Sequence, residues 1–140
     1  MTGYTNECLP DRYEDRGWST SPIIMHGDTI EVIQSGCLKS KAGDFVIFTK
    51  AGSDDLILKK QISSVGDVLS IINSTLFIND HIVLGLDGRP VHLVRKEEQL
   101  LNLYALKPLS GILVLGAQNS MDSRSIGPIS QEIIKGVVVE

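Results

Sequence analysis

Leu56-Ile57-Leu58-Lys59-Lys60-Gln61-Ile62, then Gly66-Asp67, then Val68-Leu69-Ser70-Ile71-Ile72 is the stretch on which the fold turns. Two short runs of aliphatic and β-branched residues flank a turn signal, which is the pattern of consecutive strands. Glycine supplies a positive φ at such a turn and aspartate caps it with its side chain. The same punctuation recurs at Gly27-Asp28 before Thr29-Ile30-Glu31-Val32-Ile33, and at Gly43-Asp44 before Phe45-Val46-Ile47-Phe48. Further strands are expected at Leu76-Phe77-Ile78, Ile112-Leu113-Val114-Leu115 and Gly136-Val137-Val138-Val139. Only between Pro90 and Leu106 does the period change. There Val94, Leu101 and Ala105, with Leu100 and Tyr104 beside them, fit a short amphipathic helix turning Lys96, Glu97 and Glu98 outward. The expected fold is mainly β, a single-domain compact barrel or coiled antiparallel sheet with at most one short helix.

The chain has 140 residues, enough for one domain with a real core. The expected division is a polar N-terminal segment over 1–16 and a folded domain over 17–140. With 13 basic and 17 acidic residues the net charge is −4, which offers no general field for nucleic acid or an anionic membrane. No run approaches the roughly 18 apolar residues of a membrane-spanning helix. The chain is therefore expected to be soluble as it stands, or to be the soluble part of an anchored protein. Cys8 and Cys37 are the only cysteines, and no Cys/His cluster suggests zinc. Two unpaired thiols are the expectation.

A serine hydroxyl needs a neighbouring base to become a nucleophile. The three histidines, His26, His81 and His92, lie in no triad context, and no serine sits in a G-x-S-x-G elbow. Lysine is the other base, but its ordinary pKa of about 10.4 leaves almost none of it neutral at pH 7. Lowering that to about 7.5 takes on the order of 4 kcal/mol, supplied by burial among apolar groups. The strand opened at Leu56 is the one that carries lysine in an apolar context. Strict alternation puts Lys60 on the face of Leu56, Leu58 and Ile62, and Lys59 with Ile57 and Gln61, so periodicity alone nominates Lys60.

Gly17-Trp18-Ser19-Thr20-Ser21-Pro22-Ile23-Ile24, then Gly27-Asp28, resembles the nucleophile box of type I signal peptidases, G-x-S-M-x-P-T-L followed by G-D. Leu58-Lys59-Lys60-Gln61-Ile62, then Gly66-Asp67, is similar to that family's lysine box, and the spacing back from Gly66-Asp67 puts Lys59 on the base position. A β-bulge could reconcile this with the alternation. Val114-Leu115-Gly116, then Asn119-Ser120-Met121-Asp122-Ser123-Arg124 and Gly127-Pro128, resembles the third box, L-G-D-N and S-x-D-S-R-x-x-G-P. Gly43-Asp44-Phe45-Val46-Ile47-Phe48 and Leu76-Phe77-Ile78-Asn79-Asp80 are similar to two lesser boxes. Five matches in the family's order are hard to produce by chance, and the S-x-D-S-R segment is the most specific of them.

The resemblance implies a serine endopeptidase with Ser19 as nucleophile and Lys59 as base. Ser120 orients the lysine amine, and Asp122 and Arg124 form a supporting ion pair. No cofactor or metal is implied. The implied partner is a protein or peptide substrate bound as an extended strand, with small residues near the cut. No nucleic acid is implied, peripheral membrane contact is compatible with the family, and the oligomeric state is open. Trp18 contacts lipid or substrate, or packs in the core. The family acts on the outer side of the cytoplasmic membrane, though this chain shows no segment that would take it there. Thr20 replaces the family's methionine, Ala117 and Gln118 replace the D-N of the third box, and the stretch from Gly116 to Ser120 is shorter than the family's. Two other readings stay open: a degenerate homologue that binds peptides in the same groove, and a LexA-like autoprotease. The latter cuts at an Ala-Gly or Cys-Gly bond before the nucleophile, and residues 1–18 contain neither.

Overall fold

A computed structural model describes residues 9–14, 29–49, 52, 56–116 and 121–139. Among the described residues nine strands run β1 (Asp11–Glu14), β2 (Thr29–Gln34), β3 (Phe45–Thr49), β4 (Leu56–Gln61), β5 (Leu69–Ile72), β6 (Thr75–Ile78), β7 (His81–Ile82), β8 (Val114–Leu115) and β9 (Ile134–Val138). Two helices join them, α1 (Arg95–Asn102) and the single turn α2 (Ser123–Ile126). The fold is mainly β, with antiparallel sheets and one helix of more than a turn. Six strands form one sheet in the order β1-β2-β9-β3-β4-β8, and β5-β6-β7 form a second. No helix among the described residues is long and apolar enough to cross a membrane.

The turn chemistry behaves as the sequence suggests at two of the three Gly-Asp pairs. Gly43 and Gly66 have φ of 100° and 94°, a region closed to most residues with a Cβ. Asp44 Oδ2 accepts from the Lys41 N–H at 2.9 Å, and Asp67 Oδ2 from the Ser64 N–H at 2.7 Å. Each carboxylate thus closes its own loop just ahead of a strand. Gly27-Asp28 lies outside the described residues.

Three apolar clusters hold the sheets together. Leu69, Leu76 and Ile78 of the smaller sheet, with Val83 just after it, pack with Leu101 of α1 and with Leu113 and Leu115. Val46, Phe48, Val114, Ile134 and Val137 fill one face of the larger sheet. Ile30, Val32, Ile47 and Leu58 fill the other. Residues 111–116, Gly-Ile-Leu-Val-Leu-Gly, are buried throughout and contribute to two of these clusters. Burial of its four aliphatic side chains at about 1.5–3 kcal/mol each makes this segment the tie between the sheets.

Four features depart from the sequence reading. Residues 11–14, within the polar segment, pair with β2 as β1, and His81–Ile82 form the short β7. Charged and polar residues carry β1, and β7 is only two residues long, so apolar patterning did not reveal them. The helix starts at Arg95, and Val94 is its exposed N-cap rather than part of the packed face. Glu97 Oε1 accepts from the Val94 N–H at 2.9 Å and so serves the helix start rather than solvent alone. Finally, Cys37 is disulfide-bonded, against the expectation of two free thiols. Spacing in sequence cannot report whether two sulfurs approach in space, and pairing requires that approach. Cys8 lies outside the described residues.

Candidate active site

β4 lies between β3 and β8 in the larger sheet. Its register with β3 sets Lys59 opposite Val46 and Leu58 opposite Ile47. Side chains alternate along the strand, so Lys59 shares a face with Ile57, which packs on the cluster containing Val46 and Val137. Leu58, on the other face, is also fully buried. Both faces of β4 are therefore covered, and alternation could not single out one apolar face. Lys59 is 3% exposed, and Lys60 is half-buried. No bulge lies at this point of the β3–β4 ladder.

Burial pushes the Lys59 amine below its ordinary pKa, because an ammonium loses its hydration there. Asp122 acts in the opposite direction and Arg124 in the same direction as burial. Among the described residues Lys59 has no hydrogen-bond or ion-pair partner. An amine in this setting is held toward its neutral, proton-accepting form.

The S-x-D-S-R segment supplies the wall beside it. β8 pairs with β4 at Lys60–Leu115 and Gln61–Val114, which brings Gly116 level with Lys59. The Gly116 N–H donates to Asp122 Oδ2 at 2.9 Å, and the Val114 N–H to Ser123 Oγ at 2.8 Å. Side chains from the start of α2 thus satisfy the edge of β8 that no strand covers. Arg124 Nη2 lies 2.6 Å from Asp122 Oδ2, and its Nε donates to both carboxylate oxygens. Asp122 also caps α2 by accepting from the Arg124 backbone N–H. Gly127 ends the turn at φ 79°, where a Cβ would press on Tyr104.

Lys59, Asp122 and Arg124, expected from the sequence, are therefore neighbours. Ser19 and Ser120 lie outside the described residues, as do Trp18, Thr20, Ala117, Gln118 and His26. His81 is exposed, and His92 Nδ1 lies 3.0 Å from Thr75 Oγ1 with no carboxylate partner among the described residues. Ser123 was not singled out from the sequence, although its place in the S-x-D-S-R motif was the available signal. Gln61, also unforeseen, is fully buried, and its Oε1 has no hydrogen-bond partner among the described residues. A cavity of about 350 Å³ opens elsewhere, between the end of β4 and β6–β7, with Lys60, Ile62, Asp67, Asn79 and His81 in its lining and not Lys59. Among the described residues no group of three or more His, Cys, Asp or Glu side chains could hold a metal ion.

The chain belongs to the family described as signal peptidase, peptidase S26, whose model matches residues 6–140. Among solved structures it is similar to a signal peptidase I from Enterococcus faecalis V583, at 22% identity and a TM-score of 0.47. That alignment covers 71% of this chain and 96% of the other. No curated protein sequence matches.

Proposed function

We propose that this chain is a serine endopeptidase in which Lys59 is the general base for Ser19, and that it removes a signal or leader segment from a protein substrate. The observation that carries the reading is the burial of Lys59, which holds its amine toward the neutral form. A charged lysine has no lone pair to accept a proton, and burial shifts Lys59 toward the form that has one. Membership of a peptidase family supports the reaction class.

In this mechanism the Ser19 hydroxyl attacks the scissile carbonyl while the Lys59 amine takes its proton. The Ser19 backbone N–H binds the developing oxyanion. Lys59 then hands the proton to the leaving amine, which leaves an acyl-enzyme ester. A water deprotonated by the same amine hydrolyses that ester. Ser120 orients the amine.

The substrate adds as an extended strand along β4. β8 pairs with β4 only at Lys60 and Gln61, so among the described residues the same edge is unpaired from Leu56 to Lys59. Main-chain hydrogen bonds along such an edge give affinity, and small side chains near the cut allow close approach to the amine.

The test is cleavage of a protein bearing a signal segment, followed by gel and mass spectrometry. Ser19→Ala and Lys59→Ala should each reduce cleavage to background with the circular dichroism spectrum unchanged, and Lys60→Ala should retain it. Cleavage that survives Ser19→Ala removes the mechanism. Loss with Lys60→Ala but not with Lys59→Ala assigns the wrong base. Ala117 and Gln118 replace two residues of the third box, which favours one other outcome: peptide binding by the wild type without cleavage.

A further inference from the structure

The start of α2 brings two opposite charges to the wall beside Lys59. The Asp122 side chain has no exposed surface, and that of Arg124 is 15% exposed. Asp122 Oδ1 accepts from the Arg124 N–H at 2.9 Å and from its Nε at 3.0 Å. Oδ2 accepts from the Gly116 N–H at 2.9 Å and from Arg124 Nη2 at 2.6 Å. Both oxygens are thus saturated by donors other than lysine, although Gly116 is level with Lys59 across the ladder.

That arrangement has a chemical consequence. A buried carboxylate one strand away is the natural partner of a buried ammonium, and the two would stabilise each other as ions. A lysine locked in such a pair is no base. Of the groups around Lys59, β3 offers the apolar Val46, and β8 offers Leu115 and Gly116. The charges acting on Lys59 are Asp122 and Arg124, while Glu97 of α1 acts in turn on Arg124.

We propose that Arg124 is a positioning residue for the Lys59 amine: its guanidinium clamps the Asp122 carboxylate onto β8 and offsets part of its charge, so that the carboxylate does not capture Lys59 as an ion pair. The ion pair then does more than fasten α2 to the sheet. It lets an acidic group serve the architecture of the site without neutralising its base. This role deepens the assignment of Lys59 as base, but the charge relation itself exists whether or not the protein cleaves anything.

The test is a side-chain NMR titration of Lys59, its signal identified by its absence in Lys59→Met, in the wild type and three variants. A pH profile of kcat/KM is recorded in parallel. In Arg124→Gln the Lys59 midpoint should rise and the acid limb of the profile should move up with it. At a fixed neutral pH the cleavage rate then falls on the order of tenfold, the effect of about one unit in the pKa of a base. In Asp122→Asn/Arg124→Gln, where both charges are gone, midpoint and limb should return toward the wild type. Asp122→Asn alone, which leaves the guanidinium without its carboxylate, should move the midpoint downward. A purely architectural ion pair predicts damage that grows from single to double variant with the Lys59 midpoint unmoved, and that result overturns the proposal. If Arg124→Gln does not fold, a raised or unmoved midpoint in Asp122→Asn overturns it equally. Absence of cleavage in the wild type would sink the protease assignment and leave the titration result standing.

Discussion

Lys59→Met separates the cost of the buried amine from its chemical use. Methionine keeps an unbranched stem of similar length inside the site and removes the titrating group. The wild-type residue is 3% exposed and faces Val46 across the ladder, and its side chain has no hydrogen-bond partner among the described residues. A buried polar group in that state costs about 1–3 kcal/mol. For a chain of this size each kcal/mol is worth about 3–4 °C, so the variant should melt about 3–12 °C higher at neutral pH. The pH dependence has a definite sign. The folded-state pKa lies below the ordinary 10.5. Between the two values the unfolded chain binds more protons, and wild-type stability rises with pH. The advantage of Lys59→Met is therefore full at and below the lowered pKa and shrinks as the pH approaches 10.5. Thermal unfolding followed by circular dichroism at several pH values measures it. A variant less stable than the wild type at pH 7, or an advantage that grows with pH, would refute the account of Lys59 as a costly buried amine.

Ser123→Ala should leave the buried Val114 N–H without its acceptor and cost about 1–3 kcal/mol in urea unfolding. Gly136→Ala places a methyl group against Val32 Cγ1 and within 2.8 Å of the Ile33 carbonyl oxygen, where β9 passes between β2 and β3. Overpacking of this kind costs about 1–3 kcal/mol, visible as a lower urea midpoint with an unchanged slope. Leu113→Ala removes a fully buried side chain from the cluster joining the smaller sheet to α1 and should cost about 2–5 kcal/mol. A loss below 1 kcal/mol would show that the two sheets do not depend on that contact.

Most of the strands were legible because their side chains are aliphatic or β-branched and their turns carry Gly-Asp. β2, β3, β5, β6 and β9 fall within a residue or two of the expected runs. β1 and β7 were not, because charged and polar residues form β1, and β7 is a two-residue strand defined by its pairing with β6. The helix was legible in kind, but its start was not. Val94 reads as an apolar face residue, and only the docking of Val91 and Leu93 into the core shows that the chain is still extended there.

The order of the motifs, the aliphatic runs and the S-x-D-S-R segment placed this chain in its family from the sequence alone, since local chemistry and spacing are one-dimensional facts. On which of two adjacent lysines is dry the sequence pointed both ways, since motif spacing nominated Lys59 and alternation Lys60. Periodicity assumes one wet face, and β4 has none, because clusters from distant parts of the chain cover both sides. The meeting of Asp122, Arg124 and Gly116 beside Lys59 likewise needed the β4–β8 register, which brings together residues more than fifty positions apart. Burial and charge proximity are properties of the folded volume, and only the tertiary structure decided them.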